Sequence, residues 1–222
     1  MKRSKKETLT ISGKQNDKLS SEDPENNIFS VSLTRETCNK TLACYKLGYC
    51  YVAKGRFNYP SVRRAYTKNE TIYKNNPSDF FLQLQEFFTD NNINYFRYHV
   101  SGDIPDYDYF CRIVRNSLLF PKIQFCLYTK KYFEREDDNY INDYCKKYGK
   151  ESIPNNLHIL YSSLENEPIN NPYSFNVCWY QPKDKSEKRV SKNAIECTGY
   201  CPECLACYNV NKHHRDIVIN HH

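Results

Sequence analysis

The chain has 222 residues, of which 39% are hydrophobic and 15% aromatic, and its net charge is +6. This length and composition fit one globular domain with appendages, and they exclude the low-complexity and collagen-like classes. We also expect no membrane span, because no stretch approaches the roughly 20 consecutive apolar residues that a span needs.

The first 26 residues are polar and basic. Residues 1–18 contain six Lys or Arg and two acidic residues, so most of the net charge lies there and the remainder is nearly neutral. Because such a segment has almost nothing to bury, we predict a disordered basic tail over 1–26. No apolar stretch of the kind found in a secretory signal follows it, so we expect a cytoplasmic protein.

Strand and helix patterns alternate after this segment. A first strand at 28–33 is followed by a cysteine-bearing loop and a short helix starting at 62–65. Next comes the clearest helix of the chain, which Ser78 is expected to cap and whose aromatic stripe should face the core. The stripe consists of Phe80, Phe81, Leu84, Phe87 and Phe88. Further strands are predicted at 94–100, 123–128, 157–161 and 175–180, with helices at 105–118 and 137–148.

This order is typical of βα units with a mostly parallel sheet. We therefore predict an α/β domain over 27–180, an incomplete (βα) barrel, followed by a cysteine-rich metal-binding segment over 181–222. In such folds functional residues lie at the carboxyl ends of the strands. Three strand ends should then face one mouth: Gly102-Asp103, Thr129-Lys130 and Ser162-Ser163.

The chain contains 11 cysteines. In a reducing cytosol such a set indicates metal binding rather than disulfides, and an odd number leaves a disulfide framework incomplete. The densest group is Cys197, Cys201, Cys204 and Cys207, whose soft thiolates suit iron–sulfur clusters or zinc. We favour iron–sulfur because four ligands this close wrap one tetrahedral ion with difficulty. Zinc is the alternative, and it could recruit His213 or His214.

A second group of cysteines follows the first predicted strand. Cys38, Cys44 and Cys50 are each separated by five residues, and a loop in this place would lie over the mouth of the sheet. Cys178 on the last strand either completes the C-terminal site or belongs to the core, and both interpretations stay open. The other three cysteines are interpreted as core residues: Cys111, Cys126 and Cys145.

Several short motifs, taken in order, resemble the phage gene product 88 family over roughly residues 30–208. They are Thr37-Cys38, Cys44, Cys50-Tyr51, residues 60–66 (PSVRRAY), Asn69, Arg97, Ser101-Gly102-Asp103, Tyr128-Thr129-Lys130, residues 154–157 (PNNL), Ser162 and the C-terminal cysteine run. The layout is similar to that of radical S-adenosylmethionine proteins, in which cysteines follow the first strand of a partial barrel.

With this layout, one hypothesis is a radical S-adenosylmethionine-like enzyme in the cytoplasm of a phage host. In that hypothesis one or two [4Fe–4S] clusters are held by eight cysteines: Cys38, Cys44, Cys50, Cys178, Cys197, Cys201, Cys204 and Cys207. S-adenosylmethionine would bind at Ser101, Gly102 and Asp103, and the catalytic residues would be Arg97, Asp103 and Lys130. The chain departs from that superfamily in two ways. Its C-x3-C-x2-C spacing lies at the C-terminal end rather than the N-terminal end, and no Gly-Gly-Glu type motif is present.

A different hypothesis is a binding protein without catalysis, stabilised by zinc or a cluster, with a nucleic acid or a host protein as its partner. Basic and aromatic side chains of the type that contact phosphates and stack on bases support it. They are Arg56, Tyr59, Arg63, Arg64, Tyr66 and Lys68. A solvated face explains the same residues. A third hypothesis, electron transfer between closely spaced clusters, needs no substrate pocket.

Overall fold

The computed structural model describes residues 7–13, 26–40, 43–46, 50–132, 138–164, 169–181 and 193–220. Within these ranges eight strands form one sheet. The strands are β1 (Ile11–Ser12), β2 (Ile28–Val31), β3 (Tyr95–Tyr98), β4 (Gln124–Thr129), β5 (Leu157–Leu164), β6 (Asn176–Gln181), β7 (Ile195–Glu196) and β8 (Ile217–Asn220). The helices are α1 (Ala43–Lys46), α2 (Pro60–Asn75), α3 (Pro77–Asp90), α4 (Tyr107–Leu119), α5 (Tyr140–Tyr148), α6 (Cys201–Cys204) and α7 (Val210–His213).

The strands lie in the order β1-β2-β3-β4-β5-β6-β8-β7. β1 is antiparallel to β2, and every other neighbouring pair is parallel. From β2 to β5 each strand is followed along the chain by its neighbour in the sheet, with helices between β2 and β3, β3 and β4, and β4 and β5. The predicted α/β class with a mostly parallel sheet is confirmed.

Each strand divides its side chains between two faces, because successive residues of a strand point in opposite directions. In β4, Phe125 and Leu127 belong to the main core, whereas Cys126 and Tyr128 belong to a second cluster. The same alternation places Ile159 and Leu160 of β5 in different clusters. The sheet is therefore covered on both faces, as parallel sheets require.

Helices α2 to α5 cover the first face of the sheet. The aromatic stripe of α3 faces the core as predicted, with Phe80, Phe81, Leu84 and Phe88 buried and Phe87 packed beside them. Phe88 meets Phe96 of β3 edge to face, with ring centroids 4.8 Å apart. Such pairs add to the stabilisation that burial of the rings already gives.

Two helix starts differ from the sequence prediction. α3 is capped by Asn76 and not by Ser78, because the Asn76 side chain accepts the N–H of Asp79 at 3.0 Å and Pro77 takes the first helical position. α2 runs for 16 residues, although only its start was predicted. Its buried side includes Asn69 and Glu70, polar residues that an apolar periodicity does not count.

Part of the predicted N-terminal tail is folded onto the domain. Within residues 7–13, β1 pairs with β2, and Asn69 binds both the N–H of Thr10 (2.8 Å) and its carbonyl oxygen (2.9 Å). Gln83 accepts the N–H of Leu9 at 2.8 Å. Residues 1–6 and 14–25 lie outside the described residues.

The segment expected to follow the boundary at residue 180 contributes β7 and β8, and β8 pairs with β6 in the same sheet. Of the helix predicted over 137–148, residue 137 lies outside the described ranges. In the ranges given above, none of the helices has the length and apolar character that crossing a membrane requires.

Gly102 occupies a turn after β3 where no side chain fits. Its φ is +83°, and an added Cβ would lie 2.8 Å from the carbonyl oxygen of Thr34 and 2.8 Å from Thr37 Oγ1. Gly55 has a φ of +60° but no neighbour within 4 Å of such a Cβ. We expect Gly102→Ala to lower the free energy of unfolding by about 2–4 kcal/mol, through backbone strain and overpacking together.

Gly55→Ala is the matched control, and we expect it to cost only about 1 kcal/mol of backbone strain. Urea denaturation of both variants measures the difference. Equal losses would contradict the close packing assigned to the turn at Gly102.

Candidate metal centre

The second face of the sheet is covered by residues 193–220. Tyr208 and Val210 of this segment are buried against Ile28, Leu160 and Ile217 of the strands. β7 and β8 lie at the beginning and end of the segment, and the chain between them packs on the sheet. The cysteine run is therefore held against the strands.

Tight turns shape this segment. The N–H of Cys197 donates to the carbonyl of Val218 at 2.7 Å, and Gly199 then turns the chain with a φ of +82°. α6 has Pro202 in its first turn and ends at Leu205, whose φ is +48°. As a result, all four cysteines of the run line one pocket: Cys197, Cys201, Cys204 and Cys207.

Thiols from two strands join this run. Burial raises the pKa of Cys126 on β4 and of Cys178 on β6 well above the usual range, and the Cys207 thiol raises both further. Burial likewise raises the pKa of Cys207 to about 12, and its sulfur accepts the hydroxyl of Tyr128 at 2.6 Å. These thiols are protonated in the metal-free protein, so metal binding must displace their protons.

The guanidinium of Arg97 lies beside these thiols. Arg97 is in register with Cys126, and its Cζ lies 4.5 Å from the centroid of the Tyr128 ring. Its Nε donates to the carbonyl of His99 at 3.2 Å. Desolvation alone would lower the pKa of Arg97, but neighbouring phenols and thiols raise it, so the side chain stays charged.

No Asp or Glu within the described ranges forms an ion pair with Arg97. A partly buried cation is costly unless an opposite charge compensates it. The surroundings of Arg97 therefore favour an anionic group among the thiols.

The three N-terminal cysteines also lie together. The pKa of Cys38 is raised by burial first, and then by Asp103 and the other two thiols of its group. The N–H of Cys50 donates to the carbonyl of Cys44 at 2.9 Å. The hydroxyl of Tyr51 donates to the carbonyl of Val100 and so ties this loop to the end of β3. The chain thus carries two groups of cysteines. Tyr51 lies beside the N-terminal group, Arg97 lies beside the C-terminal group, and the two side chains are close to one another.

Asp103 connects the carboxyl ends of two strands. Its carboxylate accepts hydrogen bonds from Thr129 Oγ1 (2.6 Å), from the N–H of Ile104 (2.8 Å) and from the N–H of Lys130 (2.8 Å). Burial raises its pKa, while the hydrogen bonds from Thr129 and Lys130 lower it. These contacts tie the turn after β3 to the end of β4.

The other predicted site residues lie at the same edge of the sheet. Lys130 Nζ donates to the carbonyl of Ser162 at 2.7 Å, and this hydrogen bond connects the end of β4 to β5. The N–H of Asp103 donates to Thr37 Oγ1 at 2.8 Å, and Gly102 forms the turn just before it. Ser101 is buried, and its hydroxyl has no partner within the part of the chain that the structure describes.

The thiols of this site suit a metal chemically, but the structure does not arrange them around one metal position. All eleven cysteines, each of which is described, are free thiols. Yet in the described ranges no three His, Cys, Asp or Glu side chains are placed to hold one metal ion. The cavity among the C-terminal thiols is about 20 Å³, which is room for about one water. Metal loading would therefore require residues 193–208 to shift.

Sequence reasoning missed three residues of this centre: Cys126, Tyr128 and Tyr208. Cys126 was interpreted as a core residue, and it is buried as expected, but on the face that carries the thiols. The alternation of side chains along β4 could have indicated this. Cys126 and Tyr128 share one face of the strand, and Phe125 and Leu127 share the opposite face. Tyr208 Oη is a buried polar atom without a partner among the described residues.

Comparison with protein families matches the family described as Gene product 88 over residues 4–218, which confirms the resemblance drawn from the motifs. The curated proteins and the solved structures gave no match. The family match shows which family the chain belongs to, and it gives no information about catalysis.

The contacts of Asp103 predict a structural role. We expect Asp103→Asn to lower the free energy of unfolding by about 2–4 kcal/mol, because an amide cannot satisfy three buried donors with one oxygen. Asp108, which is exposed and bonded to Arg112, is the control, and Asp108→Asn should cost less than about 1 kcal/mol. Thermal or urea unfolding measures both. Full stability of Asp103→Asn together with loss of ligand binding would instead support a catalytic role.

Two buried histidines predict sensitivity to acid. Burial lowers the pKa of His99 to about 3 and that of His158 to about 4. Both are neutral in the folded protein, so the unfolded chain binds more protons below its pKa of about 6.5. Stability should be complete above that pH and should fall, by up to about 1.4 kcal/mol per pH unit for each histidine, as the pH drops towards 4.

Urea midpoints at pH 7 and pH 5 measure this effect. His158→Gln should reduce the difference between the two pH values. His214→Gln changes an exposed histidine and should leave that difference as it is. An unchanged pH dependence in His158→Gln would contradict the neutral state assigned to this ring.

Proposed function

We propose that this chain, which belongs to the Gene product 88 family, is an iron–sulfur cluster-binding protein of phage or mobile-element type. One observation carries the proposal. Thiols from β4, β6 and the C-terminal segment meet on one face of the sheet, beside a guanidinium that no described carboxylate neutralises.

The charge of Arg97 distinguishes this arrangement from ordinary buried cysteines. An iron–sulfur cluster with its thiolates is an anion. It would supply the negative charge that no described carboxylate supplies to Arg97. Tyr128 and Tyr208 add hydroxyl groups near the thiols, and the Tyr208 hydroxyl is without a partner in the described ranges. Hydrogen bonds to cluster sulfurs are one of the means by which proteins adjust reduction potentials.

We assign the ligands to two groups. Cys197, Cys201, Cys204 and Cys207 would hold the C-terminal centre. Cys126 lines the same pocket, and Cys178 is close enough for the Cys207 and Cys197 thiols to raise its pKa. The N-terminal group of three thiols would leave one coordination position open. In the radical S-adenosylmethionine-like form of the proposal, the sheet is the wall of an incomplete barrel and that open position accepts the cofactor. A bound, reduced cluster would supply the electron for its cleavage.

In that enzymatic form the residues of this chain position and neutralise charge. Arg97 would balance a bound anion, and Lys130 would keep the carboxyl ends of β4 and β5 together. Asp103 would act through the turn that it fixes and not by touching the cofactor.

A second candidate is a zinc-stabilised binding protein without catalysis, acting on a nucleic acid or a host protein in the cytoplasm. The small cavity favours it, because about 20 Å³ leaves less room for four irons than for one ion. Exposed Arg56, Arg63 and Arg64, with Tyr59 58% exposed, supply a surface for such a partner.

The deciding measurement is metal content after anaerobic purification. We expect a brown protein with iron and acid-labile sulfide in equal amounts. Cys201→Ser/Cys204→Ser should lose most of the C-terminal iron and sulfide and should unfold more easily, because ligation contributes folding free energy. The control is Cys111→Ser/Cys145→Ser, which changes two thiols on the helices of the other face and should keep the metal.

Iron and sulfide contents that stay equal in both double variants would overturn the assignment of the C-terminal ligands. A colourless protein that holds zinc would overturn the iron–sulfur proposal and establish the second candidate. DNA or RNA binding that weakens with salt would then be the next test.

A further inference from the structure

A second cavity opens beside the N-terminal thiol group. Its volume is about 390 Å³, within the range of pockets that hold small organic ligands. Three parts of the chain enclose it: the loop after β2, the turns at 52–58, and the first half of α2. Ser101, from the end of β3, lies in its wall. None of the residues named so far as metal ligands lines this cavity.

Two arginines give the cavity its charge. Arg35 and Arg63 both line it, and among the described residues of the wall the one carboxylate is Glu36, which is paired with Lys40. Lys40 lowers the pKa of Glu36, so that carboxyl group is ionised and its charge is offset. The described part of the wall is therefore net positive. Guanidinium groups recognise phosphate through paired N–H donors.

The other side of the cavity is apolar and aromatic. Val52, Ala53 and Phe57 form it, with Tyr66 from α2. The Phe57 ring is held by an edge contact with Tyr51, their centroids being 5.4 Å apart. A rigid aromatic ring next to open space is suited to stacking on a flat ligand.

Ser101 adds a buried polar group to the wall. Its side chain is 1% exposed, lies in the cavity wall, and has a hydroxyl with no hydrogen-bond partner among the described residues. Leaving a buried hydroxyl without a partner costs about 1–3 kcal/mol, so native proteins rarely do so without a ligand or water in that place.

From these features we infer that the cavity binds a small aromatic phosphate of the size of a nucleoside monophosphate. The phosphate would lie between Arg35 and Arg63, and the flat ring would lie against Phe57. This site does not depend on the metal proposal, because its lining contains no cysteine.

The test is calorimetric titration of the full-length chain with the four ribonucleoside 5′-monophosphates at low salt. At least one should bind with a dissociation constant below about 1 mM, and the matching nucleoside and inorganic phosphate should each bind at least about 10-fold more weakly. Binding should weaken as sodium chloride is added, because the contact is between opposite charges.

Neighbouring arginines supply a matched pair of variants. Arg63→Gln removes a lining residue and should weaken binding about 10-fold, whereas Arg64→Gln, exposed but outside the cavity, should change it less than about twofold. Ala53→Phe should fill the cavity and abolish binding. Circular dichroism melting of each variant shows whether it is folded.

Absence of binding by all four nucleotides at about 10 mM would overturn the proposal. Equal losses in Arg63→Gln and Arg64→Gln would also overturn it, since they would indicate an open basic surface of the type that contacts nucleic acid. Undiminished binding by a folded Ala53→Phe would place the ligand elsewhere.

Discussion

A parallel sheet must be covered on both faces, and this constraint organises the whole chain. Helices α2 to α5 all pack in the main core, on one face. The other face therefore depends on residues 193–220, which bring β7 and β8 into the sheet and lay the cysteine run against the strands. The thiols are inside the protein because the sheet needs this cover.

The face beneath that cover is unusual for a protein interior. The main core is filled by aromatic rings in edge contact, whereas this face presents Arg97, Cys126, Tyr128 and Cys178. A purely apolar cover would leave the guanidinium uncompensated. This is why the metal proposal depends on Arg97 as much as on the cysteines.

The sequence was informative where one face of an element is strongly apolar. The stripe of α3 and the strands β3 to β6 were predicted close to their observed places for that reason. α2 was underestimated because Asn69 and Glu70 are buried for their hydrogen bonds and ion pair rather than for apolar surface. β1 and β7 have only two residues each, too few for any periodicity, and they exist because long-range partners fix them.

The candidate site followed a similar pattern. Both cysteine groups could be recognised from their density along the chain. The contribution of Cys126 could not, because its place depends on which face of β4 the distant C-terminal segment covers. The hydrogen bonds of Asp103 were also beyond sequence reasoning, since a Gly-Asp turn at a strand end gives no sign that its carboxylate accepts the N–H of Lys130.

The position of β8 has a consequence for the order in which the protein folds. β8 lies between β6 and β7 although it comes last of the three in the chain, so β7 has no partner until β8 is in place. Non-local pairing of this kind forms late in folding. Until β8 enters the sheet, the segment from Cys197 to Cys207 lacks the strand that holds its beginning in place. Protection of these thiols from solvent therefore depends on one of the last pairings to form.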